Sequence, residues 1–334
     1  MKWSVLDQSP AKQGHSEDEA IRESLALAQS CERLGFHRYW VSEHHNSDAL
    51  AGTAPEILVA AIAATTRRIR VGSAGVMLPH YSALKVAEQF RVLEAIAPGR
   101  IDLGLGRAPG SDQQTAQALN PHANAADEFP RQVFELQRWL DDAPLPEDHP
   151  FRRVKAHPRG PGSPEVWILG SSNYGARLAA HFGLPYAFAY FFSDGQGVED
   201  ALELYRRHYQ ASERHPQPEA TICVWALAAD TAVEAQRLAT SRELWRLGRE
   251  RGVHGPLASP QHAAAWPYSD AESAFVRRLR AKALVGSGAQ VAERLRALAA
   301  QLQVHEIVIN CWTYDPQARE HSYELLAREF ELDA

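Results

Sequence analysis

Cysteine is scarce in this chain of 334 residues. Cys31, Cys223 and Cys311 lie far apart and are odd in number, which fits neither a disulfide framework nor a zinc motif and points to a reducing compartment. An excess of positive charge is also missing. Against 41 Asp and Glu stand 35 Lys and Arg, a net charge of −6 that excludes a basic nucleic-acid binder. Long apolar runs are absent: Ala60–Thr66 comes closest and is cut off by Arg67 and Arg68, well short of the roughly 18–20 residues of a membrane span. Met1–Gly14 carries Asp7, Gln8 and Pro10 inside its apolar run, so it lacks a signal-peptide core, and the expected location is cytoplasmic. With 45% hydrophobic and 23% charged residues, the chain is neither disordered, collagen-like nor coiled coil. Its length suits one large α/β domain with insertions or two ordinary domains.

Short β-branched or aromatic runs alternate with segments of helical periodicity, the pattern of βα units around a parallel sheet. The strands are expected at Trp3–Asp7, Arg38–Ser42, Ile69–Val76, Arg100–Gly106, Val166–Gly170, Tyr186–Tyr190, Ala220–Ala228 and Glu306–Asn310. Helices are expected at Glu17–Leu34, with Gly35 as C-cap, and at Ala54–Thr66, Lys85–Ile96, Ala125–Leu140 and Pro316–Glu331. A Pro-rich stretch, Ala143–Pro164, reads as a connecting loop. Eight strand–helix pairs without a break in composition favour a single domain over 1–334, a closed (β/α)8 TIM barrel. Glu243–Ser287 is too long for one barrel helix and reads as a lid inserted over the C-terminal mouth, with Trp245, Trp266 and Tyr268 as candidate seals.

Catalytic groups in such barrels follow the strand C-termini. After the second strand comes Ser42-Glu43-His44-His45-Asn46, where a histidine beside a carboxylate can place a proton donor at a ligand. The same residues also fit two histidines capping local backbone, and no third residue supplies a metal set. After the fourth strand, Gly104-Leu105-Gly106-Arg107-Ala108-Pro109-Gly110 fails as a dinucleotide fingerprint, since its third glycine falls late and Pro109 removes a donor. Arg107 remains, poised for an anionic group or for a salt bridge to a neighbouring loop. After the fifth, Gly170-Ser171-Ser172-Asn173-Tyr174-Gly175 opens a helix, as a phosphate cradle or as ordinary N-capping. Gly72-Ser73-Ala74-Gly75 in the third strand leaves room for a flat ligand or for close packing.

Taken together, Ser4–Pro10, Arg38–His45, Val71–Pro79 and Ala97–Gly104 resemble the bacterial luciferase-like flavin monooxygenase superfamily, and within it the single-chain group 1 oxidoreductases. The resemblance runs nearly end to end and is densest up to Gly110. It implies a barrel that binds FMN, delivered reduced by a separate flavin reductase, and that oxidises a small organic substrate with O2 through a flavin hydroperoxide. It further implies His44 as the catalytic group and Arg107, Ser171 and Ser172 at the phosphate. A non-prolyl cis peptide at Ala74–Gly75 would lie behind the ring, Tyr190 would stand near the flavin, and the helices after strands two and three would form a homodimer interface.

Two positions depart from luciferase. Gly106 replaces the cysteine beside the flavin, and Gly175 replaces a phosphate-binding threonine, leaving a backbone contact. Both argue against carrying over light emission or a long-chain aldehyde substrate. A deazaflavin-dependent hydride-transfer enzyme of the same fold and a non-catalytic flavin-binding protein are the competing readings.

Overall fold

The computed structural model describes residues 1–122 and 125–333. Strands and helices alternate through most of the chain: β1 (Lys2–Asp7), α1 (Glu17–Arg33), β2 (Arg38–Val41), α2 (Pro55–Thr65), β3 (Arg70–Met77), α3 (Ala83–Ile96) and β4 (Ile101–Gly106). After α4 (Gln113–Leu119) and α5 (Phe129–Leu140) come β5 (Glu165–Gly170), α6 (Asn173–Phe182), β6 (Tyr186–Phe188), α7 (Tyr190–Ser193), α8 (Val198–His208) and β7 (Ala220–Ala229). The last part holds α9 (Ala232–Glu250), α10 (Pro260–Ala265), α11 (Asp270–Lys282), β8 (Leu284–Ser287), α12 (Gly288–Leu302), β9 (Glu306–Asn310) and α13 (Pro316–Glu329).

Eight parallel strands, β1–β7 and β9, close into a barrel through the pairs β1–β9, β9–β7 and β7–β6. β8 is a ninth strand that the sequence does not announce. It pairs with Ala226–Ala229, the end of β7 beyond the stretch Ile222–Trp225 that pairs with β9. Residues 243–287 are therefore not one inserted piece: the first part completes α9, and the last part is β8.

Helix boundaries follow local chemistry. Gly35, with φ +80°, ends α1 where an added Cβ would lie 2.2 Å from the carbonyl oxygen of Asp333, a site only glycine fits. Within α1 the buried side is Ala20, Ser24, Leu27, Ala28 and Cys31, while Ile21 and Leu25 lie at its margin. The helix expected over 125–140 begins with a 3-10 turn, Ala125–Glu128, before α5.

The N-terminal mouth of the barrel is plugged by charge. Arg38, Arg70, Glu165 and Glu306 open their strands, and Asp102 is second in its own. Arg38 lies 2.8 Å from Asp102 and 2.7 Å from Glu306, and Arg70 Nε donates to Asp102 at 2.9 Å. Although burial raises it, the Asp102 carboxyl is held below its ordinary value by Arg38 and Arg70. Glu165, His215 and Glu219 bring ligand atoms within 4.8 Å of one another at this same end, where Glu165 is already paired with Arg70. Above the plug the interior is apolar, filled by Leu6, Trp40, Trp167, Ala187, Cys223 and Val308, with Trp40 and Trp167 edge to face at 5.3 Å. The open end is the C-terminal mouth. No helix among the described residues is long and apolar enough to cross a membrane.

Candidate active site

Two adjoining cavities occupy that mouth, one of about 250 Å³ and one of about 480 Å³. Gln8, His44, Gly110, Phe191 and Phe192 line both. The smaller collects residues from the ends of six strands, including Ala74, Gly75, Arg107, Ser171, Ser172 and Gly175. Gly106 lines it as well. Tyr190 is the exception among the expected residues. β6 stops at Phe188, and the single turn α7 carries Tyr190 to a separate cavity of about 30 Å³, so that Phe191 and Phe192 face the mouth instead.

One end of the smaller cavity gathers uncommitted hydrogen-bond donors. Ser172 is the N-cap of α6 but makes no capping bond with its side chain, so its hydroxyl is uncommitted beside the free N–H groups of the first turn. The Arg107 guanidinium stacks on the Tyr174 ring at 3.9 Å and forms no ion pair among the described residues. Gly175 is buried in that turn, with an added Cβ 3.3 Å from Tyr186.

The other end is flat and apolar. The Ala74–Gly75 peptide bond is cis, and the pairing of β3 with β4 shifts register between Ala74 and Val76. A Cβ on Gly75 would stand 2.4 Å from the Leu169 side chain, so the backbone itself forms the surface there.

The loop after β2 separates the two histidines. Glu43, fully buried, accepts from Tyr81 Oη at 2.7 Å and from the Met77 N–H at 2.9 Å, and lies 2.7 Å from His45 Nε2. Among the described residues the His44 side chain meets only the Ser42 hydroxyl, at 3.2 Å from Nδ1. When Ser42 donates to Nδ1, the proton of the neutral ring sits on Nε2, which has no partner among the described residues. Burial pushes its pKa down to about 4, so the ring is neutral at ordinary pH.

The larger cavity is aromatic and cationic. Trp225, Trp245 and Trp312 form one wall, the last two edge to face at 4.7 Å. α9 contributes Arg242, Arg246 and Arg249. His254 joins them from the segment that follows, which is tied to the loop after β1 by backbone bonds of Leu257 with Ala11 and Gln13. Trp266 and Tyr268 do not line this space. Sequence reasoning missed the arginines. Their i, i+4, i+7 spacing was visible, but not the face it would take.

A family model described as "Luciferase-like monooxygenase" matches residues 1–306. Over 324 residues the chain is 42% identical to a protein of Escherichia coli (strain K12) named "Luciferase-like monooxygenase", covering 97% of this chain and 95% of that one. It is 44% identical over 332 residues to YwcH of Bacillus subtilis, with 98% of each chain covered. The solved structure of apo-MsnO8 superposes with a TM-score of 0.90 at 36% identity over 99% of both chains.

Proposed function

The chain belongs to the luciferase-like monooxygenase family, an enzyme family that works with FMN, and from that premise we propose that it oxygenates a small organic substrate with reduced FMN received from a separate flavin reductase. One arrangement carries this reading: the Arg107–Ser172 cradle and the Ala74–Gly75 floor face a single cavity with His44 at its border to a second, larger one. The donor set fits the group, since a dianionic phosphate suits a free guanidinium, uncommitted hydroxyls and a helix N-terminus. Bound in reduced form, FMN supplies the two electrons that let O2 place one atom on a substrate and release the other as water.

The protein's part is to bind, orient and keep dry. Arg107, Ser171, Ser172 and the N–H groups at the start of α6 hold the phosphate, and Gly175 offers backbone where a side chain would crowd it. Ala74, Gly75 and Leu169 back the ring. His44 would donate a hydrogen bond from Nε2 to the reacting oxygen, as a neutral imidazole with its proton on that nitrogen can. The aromatic wall and the strap around His254 and Leu257 exclude the water that would end the reaction unproductively. Of the lid expected over 243–287, Trp245, Arg246, Arg249 and His254 are the residues that reach the mouth. Ile57, Val92 and Ile96, exposed on α2 and α3, form the contact of a homodimer.

Calorimetric titration with FMN, FMNH2 and a deazaflavin coenzyme tests the cofactor assignment. Tighter binding of FMNH2 than of the deazaflavin supports it; preference for the deazaflavin replaces oxygen transfer with hydride transfer on the same barrel.

A further inference from the structure

The larger cavity carries more positive charge than the fold itself uses. Arg242, Arg246 and Arg249 recur at helical spacing on one side of α9, so their guanidiniums crowd one face. Arg246 is neutralised by Asp194 at 3.2 Å. Arg242 lies over the Trp225 ring at 4.1 Å and Arg249 over Phe192 at 5.6 Å, and neither forms an ion pair among the described residues. Elsewhere the wall presents His44, His45 and His254, and its one carboxylate, Asp112, is engaged by Asn46 at 3.0 Å and Thr115 at 2.6 Å. Glu243, on the same helix, is held by Arg280 at 2.7 Å and by Gln236 at 2.7 Å.

The apolar part of the wall is three indoles, Trp225, Trp245 and Trp312. Their N–H groups are buried without a hydrogen-bond partner among the described residues. Like-charged side chains one turn apart and unpaired buried donors both disfavour the folded state taken alone. An anion in the cavity relieves the first of these, while the indoles offer it their ring surfaces.

We propose that this cavity takes the substrate as an organic anion, its carboxylate or sulfonate gripped by Arg242 and Arg249 and its apolar part laid along Trp225, Trp245 and Trp312 toward His44. The assignment rests on the oxygenase reading for the word substrate, though not for the binding. Burial, then the neighbouring charge of Arg246, lowers the Arg242 guanidinium to about 9, which still leaves it cationic at neutral pH.

The test is calorimetry on the FMN-loaded protein with four probes of one chain length: hexanoate, 1-hexanesulfonate, 1-hexanol and hexylammonium. The anions bind at least about tenfold more tightly than hexanol, and hexylammonium more weakly still. Arg242→Gln and Arg249→Gln each cost about tenfold for the anions with hexanol unaffected, and Arg242→Lys retains part of the affinity because it keeps the charge. Whichever anion binds better selects the substrate class. Hexanol binding as tightly as hexanoate, no binding by any probe, or Gln variants that bind anions like the wild type overturns the proposal. FMN affinity, titrated in the same preparations, separates this failure from failure of the cofactor reading.

Discussion

Glu43 holds His45, with Nε2 2.7 Å from its carboxylate, and so leaves the adjacent His44 side chain with only the Ser42 hydroxyl among the described residues, at 3.2 Å. The neighbouring histidines thereby differ in their bonding. Both line the larger cavity, but His45 belongs to a network that ties the loop after β2 to Tyr81 and the end of β3, whereas His44 also borders the smaller cavity.

The network makes Glu43 a stability residue. Glu43→Ala strands the Tyr81 hydroxyl and the Met77 N–H in the interior, at a cost of about 1–3 kcal/mol. Urea denaturation measures it; an unchanged midpoint contradicts the positioning role.

Protonation of His44 separates it from an ordinary histidine. Its pKa falls from 6.5 in the unfolded chain to about 4 in the fold, through burial above all. Between those values the unfolded state binds more protons, so this residue adds stability as pH rises from about 4 to about 6.5 and nothing further above that. Titration of its ring proton by NMR is flat above pH 6, and turnover shows no inflection near 6.5 from this group. A ring that titrates at 6.5 contradicts the buried neutral imidazole.

The tasks proposed for His44 and Arg107 differ, and so do the expected effects of removing them. Arg107→Ala removes a charge-assisted contact to phosphate and weakens FMN binding by about tenfold or more. His44→Ala leaves that affinity within about threefold, less than the loss of a single ordinary hydrogen bond. Equal losses in fluorescence-quenching titrations would sink the division of roles.

Association is testable on its own. Ile57 is 66% exposed on α2, and Ile57→Glu places an uncompensated charge in the proposed dimer contact. Sedimentation shows the wild type as a dimer and the variant shifted to monomer; a monomeric wild type removes the interface.

Much of the barrel is legible in the sequence because its period changes so clearly. Runs such as Val71–Val76 and Ile101–Leu105 are buried on both faces, and amphipathic helices separate them. Two elements escape for opposite reasons. β8 is only Leu-Val-Gly-Ser, pressed between α11 and a helix that Ser287 caps, and looks like a linker. α4, Gln-Gln-Thr-Ala-Gln-Ala-Leu, buries nothing and is fixed by its Asp112 cap, so no apolar stripe marks it. Local alternation placed Tyr190 in a strand, whereas the backbone has already turned into α7.

That Arg107, Ser171, Ser172 and Gly175 would meet in one cavity was readable because they sit at strand ends, where the fold gathers them. His44 was singled out by the resemblance alone; the network that holds its neighbour His45 was not legible, since it depends on Tyr81 and Met77 reaching Glu43 from another part of the chain. Nor was the direction of Arg242, Arg246 and Arg249, which the packing of α9 against β7 and β8 decides.

The central claim is that this mouth protects oxygen chemistry on reduced FMN, and rapid mixing tests it most directly. Protein loaded with photoreduced FMN is mixed with oxygenated buffer and the return of oxidised-flavin absorbance is followed. A lag relative to free FMNH2, shortened in His44→Ala, is the predicted result. Reoxidation at the rate of free flavin, unaffected by the protein or by the variant, contradicts the account.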